Sequence, residues 1–206
     1  METTTRRDGG FSLVELLLVV ALLGTTIGVM YSALQVLTIS ASTSTEESAA
    51  AQDLSYSMEL LSKTLMGSQV LYANDTQIVV LSQVGGGTWQ VSSIAATAGP
   101  TPRGGLIWRR WSSDASGTVP VGASYTRWVM SDRNANQSNS IALFSYYSAT
   151  NTVLTQKSTT ADARATAVVG ALPVGYAPTD IKRIRLHIAT TFNAGIRDDF
   201  RDIALR

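Results

Sequence analysis

The stretch Gly10-Phe11-Ser12-Leu13-Val14-Glu15, with the apolar run Leu16–Ile39 behind it, decides how this chain folds and where it sits. After Glu15 the next charged residue is Glu46. A helix over residues 16–39 is roughly 36 Å long at about 1.5 Å per residue, enough to cross a hydrocarbon layer of about 30 Å. A carboxylate at the threshold of such a helix costs on the order of 2–3 kcal/mol or more if it is drawn into the apolar layer. Glu15 therefore needs a partner. A cut after Gly10 would supply one, because Phe11 would then carry a new α-ammonium group one helical turn before Glu15.

Extended through Leu16 and Leu17, this stretch closely resembles the cleavage and methylation signature of type IV pilins and type II secretion pseudopilins. It has a short leader with Arg6 and Arg7, Gly before the cut, Phe after it, Glu as the fifth mature residue, and the long apolar helix. The resemblance implies removal of residues 1–10 by a prepilin peptidase, N-methylation of Phe11, and assembly into a helical filament. In that family the carboxylate corresponding to Glu15 neutralises the amine of a neighbouring subunit. The implied partners are other pilins or pseudopilins through the N-terminal helix, the peptidase, and an inner-membrane assembly platform. The implied location is a single pass of the inner membrane, followed by a surface pilus or a periplasmic pseudopilus.

A plain secretory signal or anchor is the competing reading, with small-residue cut sites at Tyr31-Ser32-Ala33 or Ile39-Ser40-Ala41. Such signals have an apolar core of about 7–15 residues, shorter than this run, and no Glu at its mouth. Both readings leave Arg6 and Arg7 in the cytoplasm and the remainder outside.

Of the 206 residues, the leader and membrane helix take about the first 40, and what is left suits one compact domain. Charged residues are 15 % of the chain, below the roughly 25 % usual in soluble proteins; the apolar run and a head rich in Ser, Thr, Ala and Gly explain the deficit. A net charge of +1 gives no general preference for nucleic acid or anionic lipid. With no Cys there is neither a disulfide framework nor a thiolate metal site. Many pilins pin a C-terminal loop with a disulfide; here packing and hydrogen bonds must do that.

Within the apolar helix, Gly24-Thr25-Thr26-Ile27-Gly28 is the weak point, since Gly costs about 1 kcal/mol against Ala in a helix. It is also a G-x-x-x-G pattern, which lets two backbones approach closely in lipid. Gly24 and Gly28 are thus candidate helix-packing positions, a site of local unwinding, or glycines that are merely tolerated. Residues 40–47 are polar, and the apolar pattern resumes at Leu54, Met58, Leu61 and Leu65 on one helical face. One stem over about residues 12–66 is expected, loosened near residues 40–45 and stopped at Gly67.

Beyond the stem the period changes to two. Strands are expected at 76–81 and 89–94 around Gly85-Gly86-Gly87, then at 106–111, 125–130, 141–147, 152–156 and 183–190, with a last one toward Arg206. Asn151 and Asn193-Ala194-Gly195 mark turns, and residues 95–105 a loop. Residues 161–169 form a short helix or an irregular insertion. Ile184, Leu186 and Ile188 alternate with Arg185 and His187, one face buried and one wet. The ending also resembles, weakly, that of the larger minor pilins and J-type pseudopilins.

Catalytic motifs are missing: no G-x-S-x-G elbow, paired-histidine metal motif or Walker loop occurs, and His187 is the sole histidine. Asp132-Arg133-Asn134-Ala135-Asn136 begins like a calcium loop but has Gln137 where Gly belongs and Leu143 where Glu belongs, so a polar turn is expected. Trp108-Arg109-Arg110-Trp111, with Arg103 and Arg127-Trp128, fits either single-stranded nucleic acid or sheet aromatics covered by arginines. The second is expected, with no nucleic-acid partner.

The expected fold is α+β: a leader (1–10), an apolar membrane and assembly helix (11–39), an amphipathic half-stem (40–68) and a β-rich head (69–206). The expected role is that of a minor pilin or pseudopilin, structural rather than enzymatic, with no cofactor and no metal. The alternative is a membrane-anchored extracellular binding domain, adhesive or DNA-binding, that never polymerises.

Overall fold

The computed structural model describes residues 12–97, 104–136, 139–157, 159, 161–192 and 195–205. The chain divides into two compact units after Thr45, and each is described by itself. Helix α1, Leu13–Leu65, contributes to both. In the first unit every residue from Ser12 to Ser42 is exposed. Several of its hydroxyls bond within the helix: Thr25 and Thr26 both donate to the Leu22 carbonyl (2.9 and 2.8 Å), Ser32 to Gly28 and Thr38 to Leu34. In an apolar medium each such bond removes a desolvation penalty. The loosening expected near residues 40–45 does not occur. There Ser42 and Thr43 donate to the Ile39 carbonyl and Thr45 to Ala41, so this polar segment stays helical.

In the second unit, α1 buries Ala50, Leu54, Met58, Leu61 and Leu65 along one face. Leu54, Met58, Leu61 and Leu65 form one core with Ile78, Val80, Ile94, Leu106, Trp108, Ile184 and Leu186 of the sheet. Each fully buried aliphatic contributes about 1.5–3 kcal/mol. The helix stops at Gly67, whose φ of +75° is in the left-handed region that glycine tolerates best.

The sheet has eight antiparallel strands: β1 Gln69–Ala73, β2 Gln77–Val84, β3 Thr88–Thr97, β4 Gly104–Ser113, β5 Thr126–Asn134, β6 Phe144–Tyr147, β7 Arg183–Phe192 and β8 Gly195–Ala204. The order is β1-β2-β3-β4-β5-β7-β6, with β8 on the other side of β7. A short helix α2, Ala163–Val169, capped by Asp162, accompanies a second core of Leu71, Tyr72, Val79, Leu81, Val91 and Ala165. Alternate residues of Ile78-Val79-Val80-Leu81 enter different cores, so this part of β2 is an unbroken apolar run, as befits strand covered on both faces.

Several expectations change. β1 was not foreseen: it is five residues long, has a bulge between Val70 and Tyr72, and buries four consecutive side chains, so it shows no alternation. The strand expected at 141–147 shortens to β6. Residues 152–156 form no strand; a turn in which Asn151 has φ +64° leaves only the bridge Tyr147↔Val153. β3 continues to Thr97, shortening the expected loop, whose residues 98–103 lie outside those described, as do Asn193 and Ala194.

Nor is Asp132–Asn136 a polar turn on the surface. Asn134 ends β5, and Asn134 and Asn136 are buried. Asn136 donates to the His187 carbonyl (2.7 Å) and accepts from the Ala189 amide (2.9 Å). A side-chain amide can mimic a backbone amide, so Asn136 extends the ladder where β5 reaches β7 at the single pair Asn134↔Thr190.

Candidate functional site

The candidate site is the start of α1. Gly10 and Phe11 lie outside the described residues. Ser12 is the first described residue and caps the helix: its Oγ accepts from the Glu15 amide (3.2 Å), while its carbonyl accepts from the Leu16 amide (3.2 Å). Ser followed three residues later by Glu is a helix-start pattern, so the cap at Ser12 is readable from the sequence. Glu15 falls in the first turn, where an acidic side chain gains about 0.3–1 kcal/mol from the helix dipole. Every ion pair among the described residues lies beyond Thr45, none of them at Glu15. Its carboxylate is thus positioned, exposed and unneutralised at the mouth of an apolar helix.

Gly24 and Gly28 fall one turn apart on α1. A Cβ built at either meets nothing within 4 Å, so nothing among the described residues requires glycine there.

The other sequence candidates lie in the second unit and do not converge. His187 Nε2 is 2.7 Å from Asp198 Oδ2 across the β7–β8 pair. Among the described residues no three His, Cys, Asp or Glu side chains are grouped as metal ligands. The Trp108–Trp111 quartet alternates across β4. Trp108 and Arg110 share a groove with Tyr56 and Leu60 of α1, whereas Trp111 lines a hollow with Ala167 and Val168 of α2. Arg109 lies over Tyr125 at 5.6 Å, and Arg110 lies over Trp128 at 3.6 Å and Trp108 at 4.6 Å. The aromatics are covered by arginines on both sides of the sheet and make no single basic surface. Burial holds the Arg110 guanidinium below its usual pKa, and no carboxylate answers it among the described residues.

Residues 5–31 match a family model described as the prokaryotic N-terminal methylation motif. The chain carries a type IV pilin and pseudopilin N-terminal signature. The match ends within the apolar part of α1, ahead of the whole head. No curated protein and no solved structure gave a match. The signature supports a type IV pilin-like or pseudopilin precursor of the kind processed by prepilin peptidase, and the family in which this motif occurs is structural. Together with the apolar helix it indicates an inner-membrane-anchored precursor. A long N-terminal helix followed by an antiparallel sheet is a pilin-like layout.

Proposed function

We propose that this chain is a minor pilin or pseudopilin, a structural subunit of a type IV pilus or a type II secretion pseudopilus. The leader, residues 1–10, is cut after Gly10 and Phe11 is N-methylated. Residues 11–39 hold the precursor in the inner membrane and later join other stems, and residues 40–68 carry the β-rich head, residues 69–206. The observation that carries this reading is Glu15: an exposed carboxylate, without an ion-pair partner among the described residues, in the first turn of a helix with no other charge before Glu46. A neighbouring subunit's Phe11 amine has the complementary deficit. Pairing the two removes two costly charges from a bundle of apolar stems and sets the axial register. The partners are sister pilins, the peptidase and the membrane assembly platform.

The test is Glu15→Ala. Leader cleavage and membrane insertion are expected to continue, while incorporation into sheared filaments falls and cleaved protein accumulates in the inner membrane. Wild-type amounts of the variant in filaments, with its partner pilins at normal level, would refute the register role. An intact mass lacking N-methyl-Phe11 would favour the anchored, non-polymerising binding domain instead.

A further inference from the structure

β5 has an open side. It pairs along β4 from Thr126 to Asn134 but touches β7 only at Asn134↔Thr190, so among the described residues the backbone of 126–132 faces no strand on its other edge. An open edge of this length is a template for another polypeptide strand. Beside it runs a groove of about 320 Å³ between Tyr56 of α1 and Trp128 and Val129 of β5, floored by Trp108. Tyr56 is 63 % exposed and Val129 55 %, so the groove is apolar and uncovered. At its side stands Arg110, half-buried, stacked on Trp128, its Nε buried without a hydrogen-bond partner and no carboxylate within reach among the described residues. Whatever fills this place supplies backbone, apolar side chains and an acid. The ring face of Trp128 that a nucleic-acid base would need is already taken by Arg110.

A segment with those properties exists on this chain. β8 pairs β7 and among the described residues has no strand on its other edge, with Ile196, Asp198 and Phe200 on one face. Ile196 is 46 % exposed and Phe200 59 %. Asp198 gives one oxygen to His187, and its other oxygen has no partner among the described residues. β8 is poorly suited to pairing with itself. A two-fold pairing keeps residues of one face opposite each other, and its central registers set Asp198 against Asp202, Asp198 against itself, or Arg197 against Arg201. Like charges directly opposite are destabilising. We propose that the open edge of β5 takes the β8 edge of a second copy, with Asp198 of that copy meeting Arg110 and Phe200 entering the groove beside Trp128. A contact between two different edges does not close on itself and propagates from copy to copy. The inference rests on the filament reading above for its biological setting, but the contact itself is testable alone.

The chain has no cysteine, so introduced thiols report cleanly. Two differently tagged full-length copies are co-expressed in membranes, one with Val129→Cys and one with Phe200→Cys, and treated with a short bismaleimide. A product carrying both tags is expected. Arg110→Gln in the first copy, or Asp198→Asn in the second, should lower its yield about tenfold or more, as for a charge pair within an interface. Asp198 lies on the exposed face of β8, so its variant keeps the test valid should Arg110→Gln impair folding. Three results overturn the proposal: no doubly tagged product, linkage of the Val129→Cys copy only to a different protein, or a yield indifferent to Asp198→Asn. Cross-linking in cells whose filaments lack the chain would uphold this contact and sink the filament reading; incorporation without cross-linking would do the reverse.

Discussion

The two ends of α1 share a backbone conformation and little else. From Leu13 to Ser42 the helix is exposed all round, uncharged after Glu15, with the Thr25, Thr26, Ser32 and Thr38 hydroxyls folded back on helix carbonyls. From Ala50 to Leu65 it is two-sided: five apolar residues sink into the core, while Glu59 and Lys63 pair in solvent at 2.6 Å. A helix apolar on every side finds its complement in lipid or in other helices, and one with a single apolar stripe finds it in its own sheet. The lesson is a division of labour by sequence pattern. The first stretch should govern assembly and leave head stability untouched, and the second should do the opposite.

The largest effect expected from this contrast follows from deleting the same atoms in each stretch. Leu61 is fully buried, so Leu61→Ala should cost the head about 2–5 kcal/mol. Leu37, 65 % exposed, makes no such contacts, and Leu37→Ala should leave the head's melting temperature unchanged. Thermal unfolding of the full chain in detergent micelles checks both. Equal shifts for the two variants would break the comparison.

Asn136 tests whether the head holds together through its own polar joints. Asn136→Ala removes a donor to His187 and an acceptor from Ala189, both at a buried strand junction. Leaving those two backbone groups unpaired should cost about 2–4 kcal/mol. Since the joint lies wholly in the head, leader cleavage and membrane insertion should stay at wild-type level. Urea unfolding of the same micellar protein gives the first quantity, and fractionation with intact-mass analysis gives the second.

How much of this was legible follows from where each signal resides. The stem, its buried face and the membrane stretch are written in local period and in missing charge, so Leu54, Met58, Leu61 and Leu65 stood out as one face. β7 was legible for the same reason, as a strand wet on one side. β1 was not, because a bulged strand covered on both faces has no period to detect. Asn136 was hidden because its partners are more than fifty residues away in sequence, and a buried Asn looks like a turn Asn until the far strand is placed. Gly175 was hidden likewise: a Cβ there would lie 2.4 Å from the Ala73 carbonyl, a crowding that local sequence does not show. At the candidate site the chemistry at Glu15 was legible from the motif, whereas the unanswered Arg110 depends on which strand ends where.

Titration separates the two stretches more gently. In the head, burial raises the phenol pKa values of Tyr146, Tyr176 and Tyr72; nearby Asp75 adds to the rise in each, and Tyr176 also donates to its carboxylate. Each phenol holds its proton more tightly folded than unfolded. The stability it adds is therefore complete below the unfolded value of about 10 and is lost as pH rises toward the folded one. From neutral pH the head's melting temperature should be flat up to about pH 10 and fall above it. Tyr176→Phe, which removes one of these titrating groups, should make that fall shallower. A decline beginning well below the phenol range would mean that other groups govern the head at high pH.

The smallest effect is expected at Gly24 and Gly28, and it bears on the assembly side of the comparison. Neither glycine is required by the described residues, because a Cβ at either position meets nothing within 4 Å. Replacing both by Ala should strengthen the isolated helix by roughly 0.5–1 kcal/mol per site and leave the head's melting unchanged. If another stem lies against this face, the same two methyl groups hold the backbones apart and weaken the contact by about 1 kcal/mol, the size of a typical single contact between membrane helices. The double variant should then reach the membrane and lose its leader normally, yet appear in sheared filaments at a few-fold lower level than Leu37→Ala. Local unwinding on assembly would push in the same direction, since Ala resists it. Adding Gly24→Ser, small but a poorer helix former than Ala, separates the two: close packing predicts that Ser is accepted nearly as well as Gly, and unwinding predicts recovery in proportion to helix propensity. Filament levels equal to wild type for every variant would mean that these glycines are only tolerated, and that register is set by Glu15 without help from a close-packed face.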